Sequence, residues 1–183
     1  MGLVFSLPKR GLRFTEKRKN PDMDRPVIPD KYLMAGEFYF SLGPARVITV
    51  LGSCVSITMF NERLGIGAIC HALLPGNSGA GDDFRYVDTS IARMIREFEK
   101  LKISRSEIEV KLFGGADMFQ AKTGKRSLLP SVGQQNVKTA LRVIEKEKLQ
   151  LRSSDVGGRS GRKLYYHTHT NVVYIKLLNG LKA

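Results

Sequence analysis

The stretch that decides the fold is Arg46-Val47-Ile48-Thr49-Val50-Leu51-Gly52-Ser53-Cys54-Val55-Ser56-Ile57-Thr58-Met59. Residues 46–51 are rich in β-branched side chains, which is typical of a β-strand. Residues 55–59 alternate between apolar and hydroxyl side chains, which predicts a second, half-buried strand. The Gly-Ser pair between them favours a sharp turn. The stretch therefore predicts a strand, a tight turn that carries a cysteine, and a second strand.

Outward from this unit, the pattern predicts more strands and two helices. Glycine-rich or polar turns bound short apolar runs, and the two helical segments carry apolar side chains at a spacing of three to four residues. The order does not alternate strictly between strand and helix, so an α+β fold is favoured over a doubly wound one. The further strands are expected at residues 37–41, 66–74, 109–113, 149–154, 162–166 and 171–177. One helix is expected to begin at Asp88 or Thr89, and its core-facing side chains are Ile91, Met94, Ile95, Phe98 and Leu101. The other is expected to begin near Asn136, and its core-facing side chains are Val137, Ala140, Leu141 and Ile144.

Length and composition predict one globular domain. The chain has 183 residues, 42% of them hydrophobic and 26% charged, which is enough to bury a core without disulfides or metals. Residues 1–30 hold four of the seven prolines and show no sustained periodicity. We expect a flexible basic extension over residues 1–30 and a single domain over residues 31–183.

The charge of the chain is strongly positive. Thirty Lys and Arg residues against 17 Asp and Glu give a net charge of +13, which attracts an acidic partner. The basic residues are spread along the chain, no zinc-finger spacing is present, and no strand interleaves aromatic and basic residues as an RNA-binding sheet does. A solvated basic surface is therefore expected, and nucleic-acid binding is not.

The cysteine count and the hydropathy indicate where the protein works. Two cysteines in a chain of this size favour a reducing compartment. No segment approaches the roughly 18 apolar residues of a transmembrane helix, and the N-terminus lacks the features of a signal peptide. We expect a cytoplasmic protein that does not insert into membranes.

Cys54 and His71 are the minimal parts of a thiol nucleophile with its base. His71 lies on the apolar run that ends at Pro75. Gly52 and Ser53 allow a sharp turn whose amide N–H groups could stabilise an oxyanion, and Thr49 is a candidate to orient the imidazole. Against this stands an ordinary alternative, since an isolated cysteine or histidine in an apolar run is usually a core residue. The pattern alone leaves both interpretations open.

Six phrases of the sequence bear on that choice, because together they resemble the CheD family of chemoreceptor glutamine deamidases. They occur in the family's order and cover roughly residues 35–177. They are Thr49-Val50-Leu51-Gly52-Ser53-Cys54-Val55, His71-Ala72-Leu73-Leu74-Pro75, Arg85-Tyr86-Val87-Asp88, Lys111-Leu112-Phe113-Gly114-Gly115-Ala116, Val132-Gly133-Gln134-Gln135-Asn136-Val137, and Asp155-Val156-Gly157-Gly158 leading to Gly161-Arg162.

The resemblance implies a fold and a set of site residues. Family members are layered α/β/β/α sandwiches with mixed β-sheets, similar to the catalytic domain of a cytotoxic necrotizing factor. Their catalytic cysteine, histidine and threonine fall on Cys54, His71 and Thr49. Ser53 or Thr58 could supply the hydroxyl instead of Thr49.

The resemblance also implies a function. It is that of a hydrolase, a protein-glutamine glutaminase, which converts chemoreceptor glutamines to glutamates through a cysteine thioester in bacterial or archaeal chemotaxis. The cysteine is expected to be made anionic by the imidazole, and neither a metal nor an organic cofactor is required. The partners implied are methyl-accepting chemoreceptors and, in many chemotaxis systems, a CheC-type phosphatase. The alternative is a non-catalytic regulatory protein that binds receptors or the phosphatase without turnover.

Overall fold

Two β-sheets and a pair of helices build the computed structural model, which describes residues 28–76, 84–117 and 129–178. Within those residues the helices are α1 (Val87–Lys100) and α2 (Val132–Lys146), and a short 3-10 turn covers Arg105–Glu107. The strands are β1 (Asp30–Tyr32), β2 (Phe38–Ser41), β3 (Arg46–Leu51), β4 (Val55–Asn61), β5 (Ile66–Ala72), β6 (Glu109–Gly114), β7 (Gln150–Val156), β8 (Gly161–His167) and β9 (Val172–Leu178).

Both sheets mix parallel and antiparallel pairs, as expected. The first has the strand order β1-β3-β8-β9, and the second has the order β2-β5-β4-β6-β7. The parallel pairs are β1 with β3 and β6 with β7, and the other neighbours run antiparallel. Because β3 lies in the first sheet and β4 in the second, the turn at residues 52–54 carries the chain from one sheet to the other.

Two hydrophobic clusters define the layers. One lies between the helices and the five-stranded sheet, where Val55, Ile57 and Met59 of β4 meet apolar residues of α1 and α2. The other lies between the two sheets and includes residues of β3, β5, β6 and β8. The α+β class is therefore confirmed, with helices, five-stranded sheet and four-stranded sheet stacked in that order. The second helical layer of the expected sandwich is not among the described residues.

The strand predictions agree closely with the structure, whereas both helix starts were wrong. α1 begins after Tyr86, not at Asp88 or Thr89. α2 begins after Ser131, whose hydroxyl accepts a hydrogen bond from the Gln134 N–H while the Gln134 side chain accepts one from the Ser131 N–H. This reciprocal capping explains why the helix starts before residue 136.

The inward faces of the helices were predicted only in part. On α2 the buried positions are Gly133, Asn136, Ala140 and Ile144. Leu141 is 41% exposed and Leu101, just past the end of α1, is 39% exposed, so neither belongs to the core. Because glycine and asparagine are not hydrophobic, a hydrophobic pattern does not reveal them as buried positions. The predicted core-facing positions of α2 therefore differ from the observed ones.

The N-terminal boundary falls inside the first strand. Asp30, the last residue of the predicted extension, is the first residue of β1 and forms an ion pair with Arg46. Residues 1–27 lie outside the described part of the chain. Within the described part, no helix has both the length and the apolarity that a membrane span requires.

Candidate active site

Thr49 and His71 meet in the space between the two sheets. Val47 and Leu51 of β3 belong to the inter-sheet cluster, so Thr49, two residues from each, projects from the same face of the strand. Ile69 of β5 is in that cluster too, and His71 shares its face. The Thr49 Oγ1 lies 2.9 Å from the His71 Nδ1, and the two residues are only 3% and 5% exposed.

A single hydroxyl proton decides the tautomer of this histidine. The Thr49 Oγ1 donates its proton to the carbonyl oxygen of Leu33 at 2.8 Å. The hydroxyl can then only accept from the ring, so the Nδ1 of His71 carries the ring proton. The Nε2 is left with a free lone pair, and this buried atom has no hydrogen-bond partner among the described residues. An imidazole in this state is ready to accept a proton at Nε2.

Cys54 lies on the same side of the five-stranded sheet as His71. In the β4–β5 ladder Ser56 is opposite His71 and Val55 is opposite Ala72, so Cys54 is the diagonal neighbour of His71 on one face. Regular antiparallel geometry separates such neighbours by about 7–8 Å, within reach of two side chains that turn toward each other. The Cys54 side chain is partly buried and packs against the inter-sheet cluster.

The turn that carries Cys54 is held by its carbonyl groups. The Gly52 oxygen accepts from the Ala116 N–H and the Cys54 oxygen from the Gly115 N–H, each at 2.8 Å. The Ser53 oxygen accepts from the side-chain amide of Asn136 at 3.0 Å. No backbone hydrogen bond from the N–H groups of residues 52–54 is formed with the described residues. With respect to the described residues, these amides therefore have no backbone acceptor, which is a condition that an oxyanion site must meet.

The glycine pair after β6 makes this close approach feasible. Gly114 and Gly115 have positive φ angles of 101° and 66°, a region that other residues rarely adopt. A β-carbon on Gly114 would lie 2.3 Å from the Cys54 carbonyl oxygen. In the structure this glycine pair is the wall against which the cysteine turn rests.

Asn136 is the residue that sequence reasoning missed. It lies on α2, is fully buried, and donates through its Nδ2 both to the Ser53 oxygen at 3.0 Å and to the Leu73 oxygen at 2.8 Å. One side chain therefore ties the cysteine turn to the segment that follows His71. The only available signal was its place in the Val132–Val137 phrase, because a buried asparagine has no periodic pattern.

The sixth phrase, Asp155–Gly158 with Gly161 and Arg162, packs against the Gly114-Gly115 wall. The Gly157 N–H donates to the Gly114 oxygen and the Asp117 N–H donates to the Gly158 oxygen, both at 2.8 Å. Asp155 and the buried Arg162 form an ion pair across this loop. Segments far apart in the sequence thus converge on the cysteine turn.

Burial sets the protonation states of the pair. It raises the pKa of the Cys54 thiol above its ordinary value, with the residue's own amide opposing this weakly. Burial also lowers the pKa of His71, against smaller opposing effects of the Leu33 carbonyl and Glu37. Both directions favour a neutral thiol beside a neutral imidazole. Desolvation therefore disfavours both charges and opposes the expected conversion of Cys54 to an anion by the imidazole.

Thr58 and the second cysteine, Cys70, are not part of this arrangement. Thr58 is opposite Ile69, and its hydroxyl has no hydrogen-bond partner among the described residues. Cys70 is fully buried on the helix side of the sheet, where burial raises its pKa to about 12. In the described ranges no group of three or more His, Cys, Asp or Glu side chains could hold a metal ion.

Comparison with known proteins gives one family. The model described as CheD chemotactic sensory transduction matches residues 73–177. A protein of Geobacter sulfurreducens named "Probable chemoreceptor glutamine deamidase CheD 2" is 48% identical over 159 residues, which cover 86% of this chain and 96% of that protein.

Proteins of other organisms are similar at lower sequence identity. One from Maridesulfovibrio salexigens is 40% identical over 80% of this chain and 91% of its own length. One from the archaeon Pyrococcus abyssi is 36% identical over 79% of this chain and 90% of its own length. Both are named "Probable chemoreceptor glutamine deamidase CheD". Among solved structures, Neisseria meningitidis protein NMB0706 overlaps 72% of this chain and 63% of its own with a TM-score of 0.42 at 10% identity.

Proposed function

This chain belongs to the CheD family, and from that membership we propose that it is a chemoreceptor glutamine deamidase, a protein-glutamine glutaminase acting in chemotaxis. The reaction replaces the side-chain amide of a receptor glutamine by a carboxylate and releases ammonia. The observation that carries the proposal is the hydrogen bond from His71 Nδ1 to Thr49, which leaves a bare Nε2 on the side of the sheet where Cys54 lies. The regulatory, non-catalytic alternative is not favoured, since the related proteins are named as deamidases.

The first half of the reaction is acylation of Cys54. The His71 Nε2 takes the thiol proton as the sulfur attacks the carboxamide carbon of the glutamine, because a neutral thiol is a poor nucleophile. The carbonyl oxygen becomes an oxyanion, which the N–H groups of residues 52–54 stabilise. Collapse of this intermediate returns the proton from the imidazolium to the departing nitrogen. Ammonia leaves and a thioester remains.

The second half is hydrolysis of that thioester. His71 takes a proton from a water molecule, whose oxygen attacks the same carbon and regenerates an oxyanion at the same amides. The carbon–sulfur bond breaks, the sulfur recovers its proton, and a glutamate is released. All proton transfers use one imidazole, so the chemistry needs no metal or organic cofactor.

Thr49 acts by holding the imidazole. Its hydroxyl is anchored on the Leu33 carbonyl, so it offers only a lone pair to Nδ1 and keeps the reactive lone pair on Nε2. The hydrogen bond remains favourable when the ring becomes an imidazolium, because both ring nitrogens then donate. This role rests on the same geometry as the rest of the proposal.

The receptor is the substrate in this proposal. Because the target glutamines belong to its cytoplasmic part, the enzyme is proposed to act in the cytoplasm. A CheC-type phosphatase is a further partner that membership of the family suggests. Co-purification of the two proteins from a host that encodes both would test that partnership separately from the chemistry.

The decisive experiment uses the two cysteines as a matched pair. The purified protein is incubated with a receptor cytoplasmic fragment, and ammonia release and the mass gain of each amide-to-acid conversion are measured. Cys54→Ala should abolish turnover, because the nucleophile is lost. Cys70→Ala should retain it, since the Cys70 side chain is buried on the helix side of the sheet. Turnover by the Cys54→Ala protein would overturn the proposal.

A further inference from the structure

The peptide group between Leu33 and Met34 connects the catalytic histidine with a carboxylate outside the catalytic trio. The carbonyl oxygen of this peptide accepts the Thr49 hydroxyl proton at 2.8 Å. Its N–H, which belongs to Met34, donates to the Oε2 of Glu37, also at 2.8 Å. The Thr49 Oγ1 in turn lies 2.9 Å from the His71 Nδ1. These groups therefore form one hydrogen-bonded chain that runs from the imidazole to the carboxylate.

Every hydrogen bond of this chain has the same direction. The ring N–H of His71 donates to Thr49, the Thr49 hydroxyl donates to the peptide carbonyl, and the peptide N–H donates to Glu37. In such a chain each bond polarises the next, and a charged acceptor forms a stronger hydrogen bond than a neutral one. The carboxylate on the peptide N–H thus raises the electron density of the carbonyl oxygen, and through Thr49 it favours a ring that donates from Nδ1.

A tight turn over residues 34–37 fixes Glu37 against the strand that carries His71. The Glu37 N–H donates to the Met34 oxygen at 3.1 Å and closes the turn, and Gly36 has a positive φ of 82°, as the third residue of a type II turn does. The Gly36 N–H donates to the His71 oxygen at 2.8 Å, and the His71 N–H donates to the Glu37 oxygen at 3.0 Å. The main chain and the side chain of Glu37 therefore both hold the same histidine.

Glu37 also stabilises the protonated form of the ring. Burial lowers the pKa of His71, and the Leu33 carbonyl and the charge of Glu37 act in the opposite direction. This opposition matters because the ring becomes an imidazolium as the sulfur attacks, at a position that is only 5% exposed and where desolvation disfavours a cation. A carboxylate at the far end of the chain supplies the opposite charge without occupying the site.

The Glu37 carboxylate lies away from the cavity beside the histidine. A pocket of about 400 Å³ is lined by Thr49 and His71 together with residues 33–35, and neither Glu37 nor Cys54 lines it. The Glu37 side chain is exposed at the surface instead. A change at Glu37 can therefore alter the state of the imidazole while the lining of the pocket keeps its composition.

We propose that Glu37 is a positioning residue of the deamidase, which acts through the Leu33–Met34 peptide group and Thr49 to hold His71 in the tautomer protonated at Nδ1 and to stabilise the imidazolium. The proposal rests on the deamidase function and adds one carboxylate to the catalytic trio. A carboxylate that orients a catalytic histidine is commonly bonded to the ring itself, whereas here a hydroxyl and a peptide group connect the two.

The first test removes the charge of Glu37 and keeps a hydrogen-bond acceptor. Glu37→Gln should lower kcat about two- to fivefold, the range of an exposed charge interaction, with KM nearly unchanged because Glu37 does not line the pocket. The acid limb of the kcat/KM profile should move to lower pH, because an influence that raises the pKa of His71 is lost. A residue that only stabilised the turn would leave that limb in place.

Glu107→Gln is the matched control. The Glu107 carboxylate accepts from the backbone N–H three residues earlier, that of Ser104 at 3.0 Å, as Glu37 does from Met34. Both changes raise the net charge by one, so the comparison controls for a change in attraction to an acidic receptor. Glu107 lies beside the end of β4 remote from Cys54, where the Asn61 side chain donates to its carbonyl oxygen at 3.1 Å. Its kcat and acid limb should therefore remain those of the native enzyme.

The second test asks whether the carboxylate acts through the hydroxyl of Thr49. In the Thr49→Val protein the chain is already broken, so the addition of Glu37→Gln should lower kcat no further. An equal loss in the native and the Thr49→Val background would show that Glu37 acts on the ring without the hydroxyl, and would overturn the proposal.

NMR of the ¹⁵N-labelled protein separates this proposal from the deamidase function, because it needs no substrate. The His71 ring signals, identified by elimination in a His167→Gln, His169→Gln protein, should show a neutral ring protonated at Nδ1. Their titration midpoint should fall in Glu37→Gln and stay unchanged in Glu107→Gln. If the native protein releases no ammonia from receptor fragments, the deamidase function fails, whereas the ring signals still decide whether the chain exists. If ammonia is released but Glu37→Gln keeps the native kcat and the native titration, only the positioning role fails.

Discussion

At the scale of single residues, the site depends on the single proton of one buried hydroxyl. Because the Thr49 proton is committed to the Leu33 oxygen, the His71 ring must donate from Nδ1 and keep Nε2 free. The same burial that fixes this hydrogen bond keeps both Cys54 and His71 neutral at rest. The pair is therefore a thiol with a general base, which exchange the proton only as the sulfur attacks.

The hydroxyl of Thr49 can be tested with isosteric and conservative changes. Thr49→Val keeps the shape of the side chain but removes the acceptor for Nδ1, so we expect kcat to fall by about 10- to 100-fold, a loss of part of the 10²–10⁴-fold that a positioned base contributes. Thr49→Ser retains a hydroxyl and should retain most of the activity. Equal losses in the two variants would contradict the role given to the hydroxyl.

The pH profile of the same enzymes has a predicted sign. Burial lowers the pKa of His71, and the imidazolium cannot accept a proton, so kcat/KM should fall only as the pH drops through a value below the ordinary range of histidine. Burial raises the pKa of Cys54, so its alkylation by iodoacetamide should increase with pH and reach half-maximum above the value of a free cysteine. Rapid alkylation at mildly acidic pH would contradict a neutral pair.

At the scale of elements, the conformation of the cysteine turn is held by the segment after β6 and by α2, which pack against it. The wall after β6 binds two of its carbonyls, and α2 binds the third through Asn136. Gly133 allows the helix to come this close, because a β-carbon there would lie 2.6 Å from the Gly115 oxygen. The turn, the wall and the helix N-terminus therefore act as one unit.

Asn136 offers a test of that unit. Asn136→Asp preserves volume but cannot donate to the Ser53 and Leu73 oxygens, and the loss of buried hydrogen bonds costs about 1–3 kcal/mol for each group left unpaired. We expect a lower melting temperature and a fall in kcat with little change in KM, because Asn136 aligns the cysteine turn with the His71 strand and does not line the pocket beside His71.

A matched variant separates alignment from stability. Ile144→Val on the same helix shortens a core side chain that is 3% exposed and should also lower the melting temperature, by a cost of about 0.5–1.5 kcal/mol. Its kcat should be unchanged at a temperature where both variants are folded. If Asn136→Asp lowers kcat no more than Ile144→Val does, the asparagine has a structural role alone.

At the scale of the whole molecule, the net charge of +13 is large enough to affect encounter with a charged substrate. Opposite charges on two proteins raise the association rate, and salt screens this attraction over about 10 Å at 0.1 M ionic strength. With an acidic receptor fragment, kcat/KM should therefore fall as salt is raised from low to physiological concentration, while kcat stays constant. Alkylation of Cys54 by neutral iodoacetamide is the control and should not respond. A flat kcat/KM would show that the charge serves another purpose.

The amino-acid sequence by itself determined the strands other than β1, the α+β class and the candidate trio. Alternation along β4 and the β-branched run of β3 are local patterns, and the turn between them has its own chemistry, so each could be recognised without a partner. Resemblance then assigned the function, and the comparisons support that assignment. The starts of the helices could not be predicted as well. In α2 the first turn contains Gly133 and the buried Asn136, which give no hydrophobic pattern, and it is stabilised by capping and packing instead.

Only the tertiary structure decided what the site residues do to one another. Thr49 and His71 lie on different sheets, and the bond between them exists because those sheets stack. The protonation of Cys54 and His71 follows from burial, which no local pattern records. The role of Asn136 likewise depends on neighbours that are distant in the chain. Local order is written in the sequence, whereas proton positions depend on which distant segments the fold brings together.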